Sequence, residues 1–382
     1  MTTPMISADC VIEPGYGAIA DEFVRNFEER GDTGAACTVY VDGAIVVDLW
    51  AGDTGSRPWQ EGTKSVLFSV SKGILATCIL MAVQEGAIDL DAPVARYWPE
   101  YAAHGKQHTT VRQVLGHRAG LPGPSEPLTM RDLAGWDPVV RSLADQRPDW
   151  EPGTTFTYHP ITLGWLAGEI LRRTTHARPS QWLRERIAAP LGVDLRFGTD
   201  PHDPLLAPIG PRLAFDPSDL PEIPAAELAF LERCTGMNGA FDGADLFGSA
   251  NREDFLRAEI PAANITGSAH DLARFYAATI GEIDGVRLLN EETVRDAIIP
   301  VSEGRPWLGL EGPRWGTGFG IQSSFRRMAG PLSFGHDGAG GQLGFADPEY
   351  RVAFAYQTIR PGGFDDQRAE ALSQALRDCI SA

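Results

Sequence analysis

One segment of this chain is too apolar to lie at a protein surface. Residues 70–85 place apolar side chains on nearly every side of a helical projection, with Ile74, Leu75 and Ile79 among them. A helix that is apolar all round is buried at the centre of a structure. Gly86, directly after the segment, suits the left-handed backbone that often ends a helix. The sequence therefore predicts a central buried helix over residues 70–85, which the rest of the chain must enclose.

Strand patterns lie near both ends of the chain. Residues 36–41 and 44–50 are rich in β-forming side chains, and Asp42-Gly43 between them is a strong signal for a two-residue hairpin. Further candidate strands follow near the C-terminus, at residues 317–322, 342–346 and 352–358. Helical patterns occupy residues 18–30, 163–171, 181–189 and 269–280, and a last helix starts near Asp366.

Strands at both ends with helices between them indicate one sheet built from the two termini. We expect an α/β fold of the α+β type, in which an antiparallel sheet is flanked by N- and C-terminal helices. Residues 1–68 and 255–382 would form this sheet domain, and residues 69–254 an inserted, mostly helical domain, with the active site between the two. The stretch 201–224 carries seven prolines, which is typical of an irregular surface connection.

Ser69 and Lys72 form the motif Ser-x-x-Lys at the start of the predicted central helix. Residues three apart on a helix share a face, so the amine can lie beside the hydroxyl. A serine becomes an effective nucleophile when a base takes its proton, and a buried, neutral lysine can be that base. The chain has three lysines against 30 arginines, so a chance Ser-x-x-Lys is expected only about 0.1 times in this length. The alternative is that Lys72 is a capping or solvated residue.

Tyr158 precedes a second predicted helix, whose apolar stripe runs over residues 163–171 and whose first turn suits Pro160. A tyrosine at a helix entrance can reach a cleft between helical and sheet regions. If Lys72 is charged, it would stabilise a phenolate and make Tyr158 the base or proton shuttle. The residues alone leave open which of these two groups holds the proton, and they also allow Tyr158 a packing role.

Residues 334–341 read Phe-Gly-His-Asp-Gly-Ala-Gly-Gly, a run whose backbone can approach a ligand closely. His336 could donate a proton or a hydrogen bond near a reacting acyl group. If the run is a strand lining the cleft, the backbone amides of Ser69 and Ala339 would form an oxyanion hole. The alternative is a glycine-rich hairpin with a surface histidine.

In this order and spacing, the three motifs resemble the serine β-lactamase and penicillin-binding protein superfamily. They are most similar to its esterase branch, the class C β-lactamase-like family VIII carboxylesterases. Similar stretches also occur at residues 114–122, 260–264, 271–275 and 344–348, so the resemblance spans roughly residues 15–380. It implies an acyl-enzyme mechanism without metal or organic cofactor. It also implies an antiparallel α/β domain with an all-helical domain beside it.

The resemblance implies a role for each motif residue. Ser69 matches the family nucleophile, and Lys72 matches its partner. Tyr158 matches the general base for acylation, which later helps deliver the proton to the leaving group. His336 stands where penicillin-recognising members carry the lysine of Lys-Thr-Gly, and Pro160 stands where the family has the asparagine of Tyr-x-Asn. These two departures remove the fixed cation that holds a substrate carboxylate and the amide that binds a β-lactam, which favours ester substrates.

We predict hydrolysis of small carboxylic esters through an acyl-Ser69 intermediate, because an alkoxide leaves more easily than an amide nitrogen. The same acyl-enzyme would serve an amidase, a peptidase or an acyltransferase, including a peptide cyclase, and these alternatives stay open. A non-catalytic binding protein of the same fold is a third hypothesis, and the joint presence of Ser69, Lys72 and Tyr158 argues against it. The sequence has no Gly-x-Ser-x-Gly motif that would indicate an α/β-hydrolase.

Composition limits the partners. A formal net charge of −18 disfavours binding to nucleic-acid phosphates and to anionic membranes. Five irregularly spaced cysteines predict neither a disulfide framework nor a zinc site, and they suit a reducing compartment. The sequence shows no secretory signal and no apolar segment that would span a bilayer. We therefore expect a soluble cytoplasmic enzyme that acts on a small-molecule ester, without cofactor or metal and without nucleic-acid or membrane partners.

Overall fold

The computed structural model describes residues 6–7, 9–214, 224–308, 311–363 and 365–381. Near its centre lies the helix that the apolar pattern predicted, Ser71–Gln84, and each of its residues as far as Ala82 is buried. Gly86 follows this helix with a φ of 74°, a left-handed conformation that glycine adopts without steric cost. The prediction of a central buried helix is confirmed.

Within the described residues, eleven strands form two sheets. In chain order they are β1 (Val11–Ile12), β2 (Gly34–Val41), β3 (Ala44–Gly52), β4 (Ser65–Val66), β5 (Arg196–Phe197), β6 (Ile265–Gly267), β7 (Arg314–Trp315), β8 (Gly320–Ile321), β9 (Phe334–Asp337), β10 (Leu343–Asp347) and β11 (Val352–Thr358). The large sheet has the order β1-β3-β2-β11-β10-β9-β8-β7, and the small one has the order β4-β6-β5. All the strand pairs are antiparallel. Because β2 pairs with β11, the large sheet joins the two ends of the chain, as the sequence predicted.

The same residues form fourteen α-helices. They are α1 (Gly17–Glu28), α2 (Ser71–Gln84), α3 (Val111–Leu115), α4 (Met130–Gly135), α5 (Asp137–Asp145), α6 (Leu163–Thr175), α7 (Pro179–Leu183), α8 (Ala189–Leu191), α9 (Ala225–Thr235), α10 (Leu246–Ser249), α11 (Glu253–Arg257), α12 (Ala269–Ile280), α13 (Glu291–Ala297) and α14 (Arg368–Ile380). None of the helices in the described ranges is both long and apolar enough to cross a membrane.

Helices cover both faces of the large sheet. Alternate residues of a strand face opposite sides, so Cys37 and Val39 of β2 join the apolar cluster of α1 and α14, whereas Ala36 and Tyr40 join the cluster that contains α12 and α2. Helix α12 packs on β2, β10 and β11, and α2 packs on α6 and on β9. The sheet is thus flanked by the N- and C-terminal helices on one face, and the central helix lies towards the other.

The turn between β2 and β3 has the geometry that its two residues favour. Asp42 and Gly43 have φ angles of 52° and 80°, and Val41 pairs with Ala44 across the turn. Two left-handed residues in succession define the type I′ turn, whose twist matches that of the flanking strands. The predicted hairpin is confirmed.

The predicted strand over residues 317–322 is wrong in its first half. Only Gly320–Ile321 is a strand, between β7 and β9. Gly318 turns the chain with a φ of 83°, and the Thr317 N–H donates to the Ala297 carbonyl oxygen instead of to a neighbouring strand. The β propensity of these residues is overridden by a turn whose backbone hydrogen-bonds with the end of α13.

Two helix predictions also need correction. Pro160 does not lie in the first turn of a helix, because α6 begins only at Leu163. The helix predicted over residues 181–189 includes a π-helical turn over residues 184–188, between α7 and α8. Of the proline-rich stretch, residues 215–223 lie outside the described residues. The division into a sheet domain and an inserted helical domain stays a prediction.

Candidate active site

Ser69 lies on a tight turn immediately before α2. Phe68 has a φ of 48°, an uncommon left-handed conformation for a residue with a side chain. The Ser71 hydroxyl fixes this turn, because it donates to the Phe68 carbonyl oxygen and accepts from the Ile265 N–H. Ser69 is partly exposed, although Phe68 and Val70 are buried on either side of it. The fold therefore presents one hydroxyl from an otherwise buried segment.

Lys72 is the buried neighbour of Ser69. Its Nζ lies 3.0 Å from Ser69 Oγ and donates to the backbone carbonyl oxygens of Pro160 at 2.6 Å and Ala262 at 2.8 Å. Burial lowers the pKa of Lys72 well below its ordinary value, and the charge of Asp337 opposes this shift only in part. No carboxylate of the described chain forms an ion pair with this amine. The surroundings therefore favour the neutral amine.

Tyr158 approaches Ser69 from another direction. Its hydroxyl donates to Ser69 Oγ at 2.9 Å. Its ring stacks on Trp315 with the centroids 5.1 Å apart and the planes at 14°, and Lys72 Nζ lies 4.8 Å from the ring centroid. Burial raises the pKa of Tyr158 above its ordinary value, although the hydrogen bond with Ser69 opposes this shift. The phenol is therefore held in its protonated form.

Two buried histidines hold the segment that carries Tyr158. The His159 backbone N–H donates to His117 Nδ1 at 3.1 Å, and the His159 ring accepts at Nε2 from the Leu121 N–H, also at 3.1 Å. His159 Nδ1 lies 2.6 Å from the Thr157 carbonyl oxygen, to which it donates. Burial lowers the pKa of His159 to about 4 and that of His117 well below its ordinary value. Both rings are neutral structural groups that fix the backbone beside Tyr158.

His336 and Asp337 end strand β9, and they differ in exposure although His336 Nδ1 lies only 3.8 Å from Asp337 Oδ1. The His336 side chain is 2% exposed and that of Asp337 is 43% exposed. His336 Nδ1 lies 2.7 Å from the Asp337 carbonyl oxygen, and its Nε2 is buried with no partner among the described residues. Burial lowers the pKa of His336 to about 3, although Asp337 opposes this shift. The ring is therefore neutral, and with Nδ1 as the donor its Nε2 is a free acceptor.

Asp337 forms an ion pair with Arg326, whose side chain is almost completely buried. The Arg326 guanidinium also lies over the Trp315 ring, with Cζ 5.1 Å from the centroid. The guanidinium holds the pKa of Asp337 below its ordinary value against the effect of burial. Strand β9 thus presents a fixed carboxylate in front of a buried cation.

The residues after β9 lie against the Ser69 turn. A methyl group on Gly338 would lie 2.6 Å from the Leu67 carbonyl oxygen, so only glycine fits at this approach. The Gly338 N–H donates to the Gln342 carbonyl oxygen at 2.7 Å, whereas the Ala339 N–H meets no acceptor within the described ranges. An unused amide of this kind, beside the Ser69 turn, is what an oxyanion hole requires.

The comparisons with known proteins agree with this geometry. A family model described as "Beta-lactamase" matches residues 21–377. The chain belongs to the β-lactamase family. It is 35% identical over 354 residues to the esterase/β-lactamase LipL of Mycobacterium tuberculosis, an alignment that covers 90% of this chain and 81% of that protein. It is 28% identical over 372 residues to the esterase EstB of Burkholderia gladioli, with 83% and 92% covered.

Solved structures of the β-lactamase family superimpose on nearly the whole chain. A family VIII carboxylesterase aligns with a TM-score of 0.87 and 32% identity, covering 98% of this chain and 100% of that one. EstA from Arthrobacter nitroguajacolicus Rue61a aligns with a TM-score of 0.86 and 33% identity, covering 97% and 98%. The predicted α/β fold class and the resemblance to family VIII carboxylesterases are confirmed.

Sequence reasoning missed several groups around Ser69 in this β-lactamase-family chain. Lys72 donates to the backbone carbonyl oxygens of Pro160 and Ala262. Every residue has such an oxygen, so the residue type does not reveal the contact. Arg326 lies in a segment without a motif, and the role of Trp315 as the stacking partner of Tyr158 has no local pattern. His117 belongs to the stretch 114–122 that resembles the family, and this was the one available signal.

One group of side chains could hold a metal ion. Within the described residues, Asp48, Glu61 and His270 have potential ligand atoms within 4.8 Å of one another. His270 Nδ1 lies 2.7 Å from Asp48 Oδ2, and the other Asp48 oxygen accepts from the Thr38 hydroxyl at 2.7 Å. These contacts satisfy Asp48 without a metal. The group joins β3 to the start of α12 and makes no contact with Ser69, Lys72 or Tyr158.

Proposed function

We propose that this chain is a serine carboxylesterase that cleaves small carboxylic esters through an acyl-Ser69 intermediate. The observation that carries the proposal is the hydrogen bond between Ser69 Oγ and a buried amine that has no carboxylate partner among the described residues. The relatives that are named esterases, and the family VIII carboxylesterase with the same fold, support the same activity.

The hydrogen-bond count supports Lys72 as the base that activates Ser69. A neutral amine has two N–H donors and one lone pair. The Pro160 and Ala262 carbonyl oxygens accept from the two donors, which leaves the lone pair for the Ser69 hydroxyl proton. The family resemblance gives the acylation base to Tyr158, but burial disfavours its phenolate. We therefore propose Lys72 for this step.

Acylation then proceeds as Ser69 Oγ bonds to the ester carbon and its proton passes to Lys72. The Ser69 and Ala339 amides would stabilise the oxyanion. Tyr158 gives its proton to the departing alkoxide as the carbon–alkoxide bond breaks. The resulting phenolate is stabilised by the charged Lys72, whose Nζ lies 4.8 Å from the ring centroid.

Deacylation reverses these proton movements. The Tyr158 phenolate takes a proton from water, and the hydroxide attacks the acyl carbon. As the acid leaves, Lys72 returns its proton to Ser69 Oγ, so all three groups regain their starting states. The His336 ring lies 6.0 Å from the Tyr158 ring, centroid to centroid, and its buried Nε2 is a hydrogen-bond acceptor because its Nδ1 donates to the Asp337 carbonyl oxygen. A donor role for His336 would require protonation far below neutral pH.

Esters are favoured over amides at this site. The position that carries an amide side chain in the Tyr-x-Asn motif is Pro160, and its carbonyl oxygen already accepts from Lys72. No side-chain amide is therefore available there to bind the nitrogen of an amide substrate. Amidase and acyltransferase activities on the same acyl-enzyme remain the second candidate function.

The test is ester turnover with p-nitrophenyl butyrate, together with intact-protein mass after exposure to a phosphonate ester probe. Ser69→Ala should abolish both turnover and the adduct and leave the fold intact, because it removes only one hydroxyl. Ser56→Ala, at an exposed serine, is the matched control and should react like the wild type. An adduct on the Ser69→Ala protein, or unchanged turnover, would place the nucleophile elsewhere.

A further inference from the structure

The charged group that strand β9 exposes beside the nucleophile is a carboxylate. Asp337 is 43% exposed, whereas the neighbouring His336 is buried and neutral. The charge of Asp337 reaches the centre of the site. It opposes the lowering of the Lys72 pKa by burial and adds to the raising of the Tyr158 pKa by burial. A substrate bound at Ser69 therefore lies within the field of this carboxylate.

The cation that pairs with Asp337 is too deeply buried to contact a ligand. The Arg326 side chain is only 5% exposed. It pairs with Asp337 and lies against the Trp315 ring. The remaining basic groups around Tyr158, which are Lys72, His117, His159 and His336, all have pKa values lowered by burial. In this part of the described structure, the more exposed member of the ion pair is therefore the Asp337 carboxylate, at 43% against 5% for Arg326.

We propose that Asp337 is a specificity-determining residue, which makes the cleft select esters that carry no carboxylate near the reacting carbonyl group. It does so by presenting its own negative charge and by neutralising Arg326, which would otherwise attract a carboxylate. The substrate class is thus that of neutral or cationic esters. This inference rests on the proposed esterase function of Ser69.

The expected discrimination is large enough to measure. Two like charges about 4 Å apart near a protein surface repel strongly enough to change a rate constant tenfold or more, and the repulsion is screened by salt. A carboxylate on the substrate should therefore lower kcat/KM by at least about tenfold relative to an uncharged group of similar size. Removing the charge of Asp337 should remove this preference, because the repelling carboxylate is gone and the buried charge of Arg326 is no longer compensated.

The experiment compares three p-nitrophenyl esters with acyl chains of similar length. They are the butyrate, the hemisuccinate with a terminal carboxylate, and the methyl-capped succinate, which has a similar size without the charge. We expect the wild type to prefer the capped succinate over the hemisuccinate by at least about tenfold at low salt, and less so at high salt. Equal use of the two by the wild type would overturn the proposal without any variant.

Asp337→Asn is the decisive variant, because the asparagine oxygen can still accept from Arg326. The hemisuccinate-to-capped ratio of kcat/KM should rise at least about tenfold, and Asp337→Ser should act in the same direction. Asp296→Asn is the matched control, because Asp296 is 40% exposed and pairs with Arg112 away from Ser69. An unchanged ratio in a folded Asp337→Asn protein would overturn the proposal. Failure of the wild type to hydrolyse any of the three esters would instead contradict the esterase function.

Discussion

Lys64 and Lys72 are both almost completely buried, yet their surroundings drive their pKa values in opposite directions. Burial lowers the pKa of Lys64, but its ion pairs with Asp194 and Asp203 outweigh this effect and raise the pKa overall. Within the described residues, Lys72 forms hydrogen bonds only with two carbonyl oxygens and one hydroxyl, so burial prevails and its pKa falls. The comparison shows that the charge of the partner, rather than burial alone, decides whether a buried lysine is a structural cation or a base.

Lys106 shows that a lowered pKa is not sufficient for function. Its Nζ donates to the carbonyl oxygens of Ala144 and Gln146, and burial lowers its pKa to about 8. No serine or cysteine is among the hydrogen-bond partners of this amine in the described structure. Lys72 differs because Ser69 occupies its third hydrogen-bonding position.

The largest expected effect is on enzyme activity, which substitution of Lys72 should lower far more than substitution of Lys64. Lys72→Arg should lower kcat/KM for p-nitrophenyl butyrate by about 10³-fold, because a fixed cation cannot accept a proton. Lys64→Arg should retain activity within a few-fold, because a guanidinium can still pair with Asp194 and Asp203. Steady-state assays of the two purified variants check this, and an active Lys72→Arg protein would refute the role of Lys72 as a base.

A smaller effect separates the two lysines by stability, in the opposite sense. Lys64→Met should lower the free energy of unfolding by about 2 kcal/mol, because it leaves the Asp203 carboxylate without its ion-pair partner, whereas Asp194 keeps its ion pair with Arg196. Lys72→Met should change it by less than about 1 kcal/mol, because the loss of an unfavourably buried amine offsets the two carbonyl oxygens left without a donor. Urea unfolding of both variants measures these two changes. A larger loss of stability in Lys72→Met than in Lys64→Met would contradict the prediction.

The smallest effect concerns pH. Lys72 accepts a proton only when neutral, so kcat/KM should rise with pH through its lowered pKa and reach a plateau above it. His159 and His336, with pKa values of about 4 and about 3, are both neutral near neutral pH. Because the charge of Asp337 raises the pKa of Lys72, Asp337→Asn should move the rising limb to lower pH. A pH–rate profile with the butyrate ester measures this, and a limb that moves to higher pH would contradict the assignment.

The contact between Ser69 and Lys72 could be predicted because the two residues are close in the sequence. Lys72 lies in the first turn of α2, three positions after Ser69, and the Asp42-Gly43 turn encodes its own hairpin. Strand β9 was expected only conditionally, because its glycines resemble a loop and its strand form depends on pairing with β10, a long-range contact. The ion pair of Arg326 with Asp337 likewise joins separate segments. Backbone acceptors such as the Pro160 carbonyl oxygen cannot be identified by residue type at all.

The burial of α2 has a consequence for how the enzyme would lose activity on heating. Lys72 belongs to this helix and Ser69 immediately precedes it, and a helix packed on all sides cannot move without disturbing the whole close-packed interior. The entropy of aligning Ser69 with Lys72 is therefore lost during folding, before any substrate arrives. Local unfolding commonly inactivates enzymes whose reacting groups lie on loops, but it should rarely separate Ser69 from Lys72. The Ser69–Lys72 contact should consequently persist until the molecule unfolds as a whole, and any earlier loss of activity on heating would begin at the irregular segments that carry Tyr158 and Ala339.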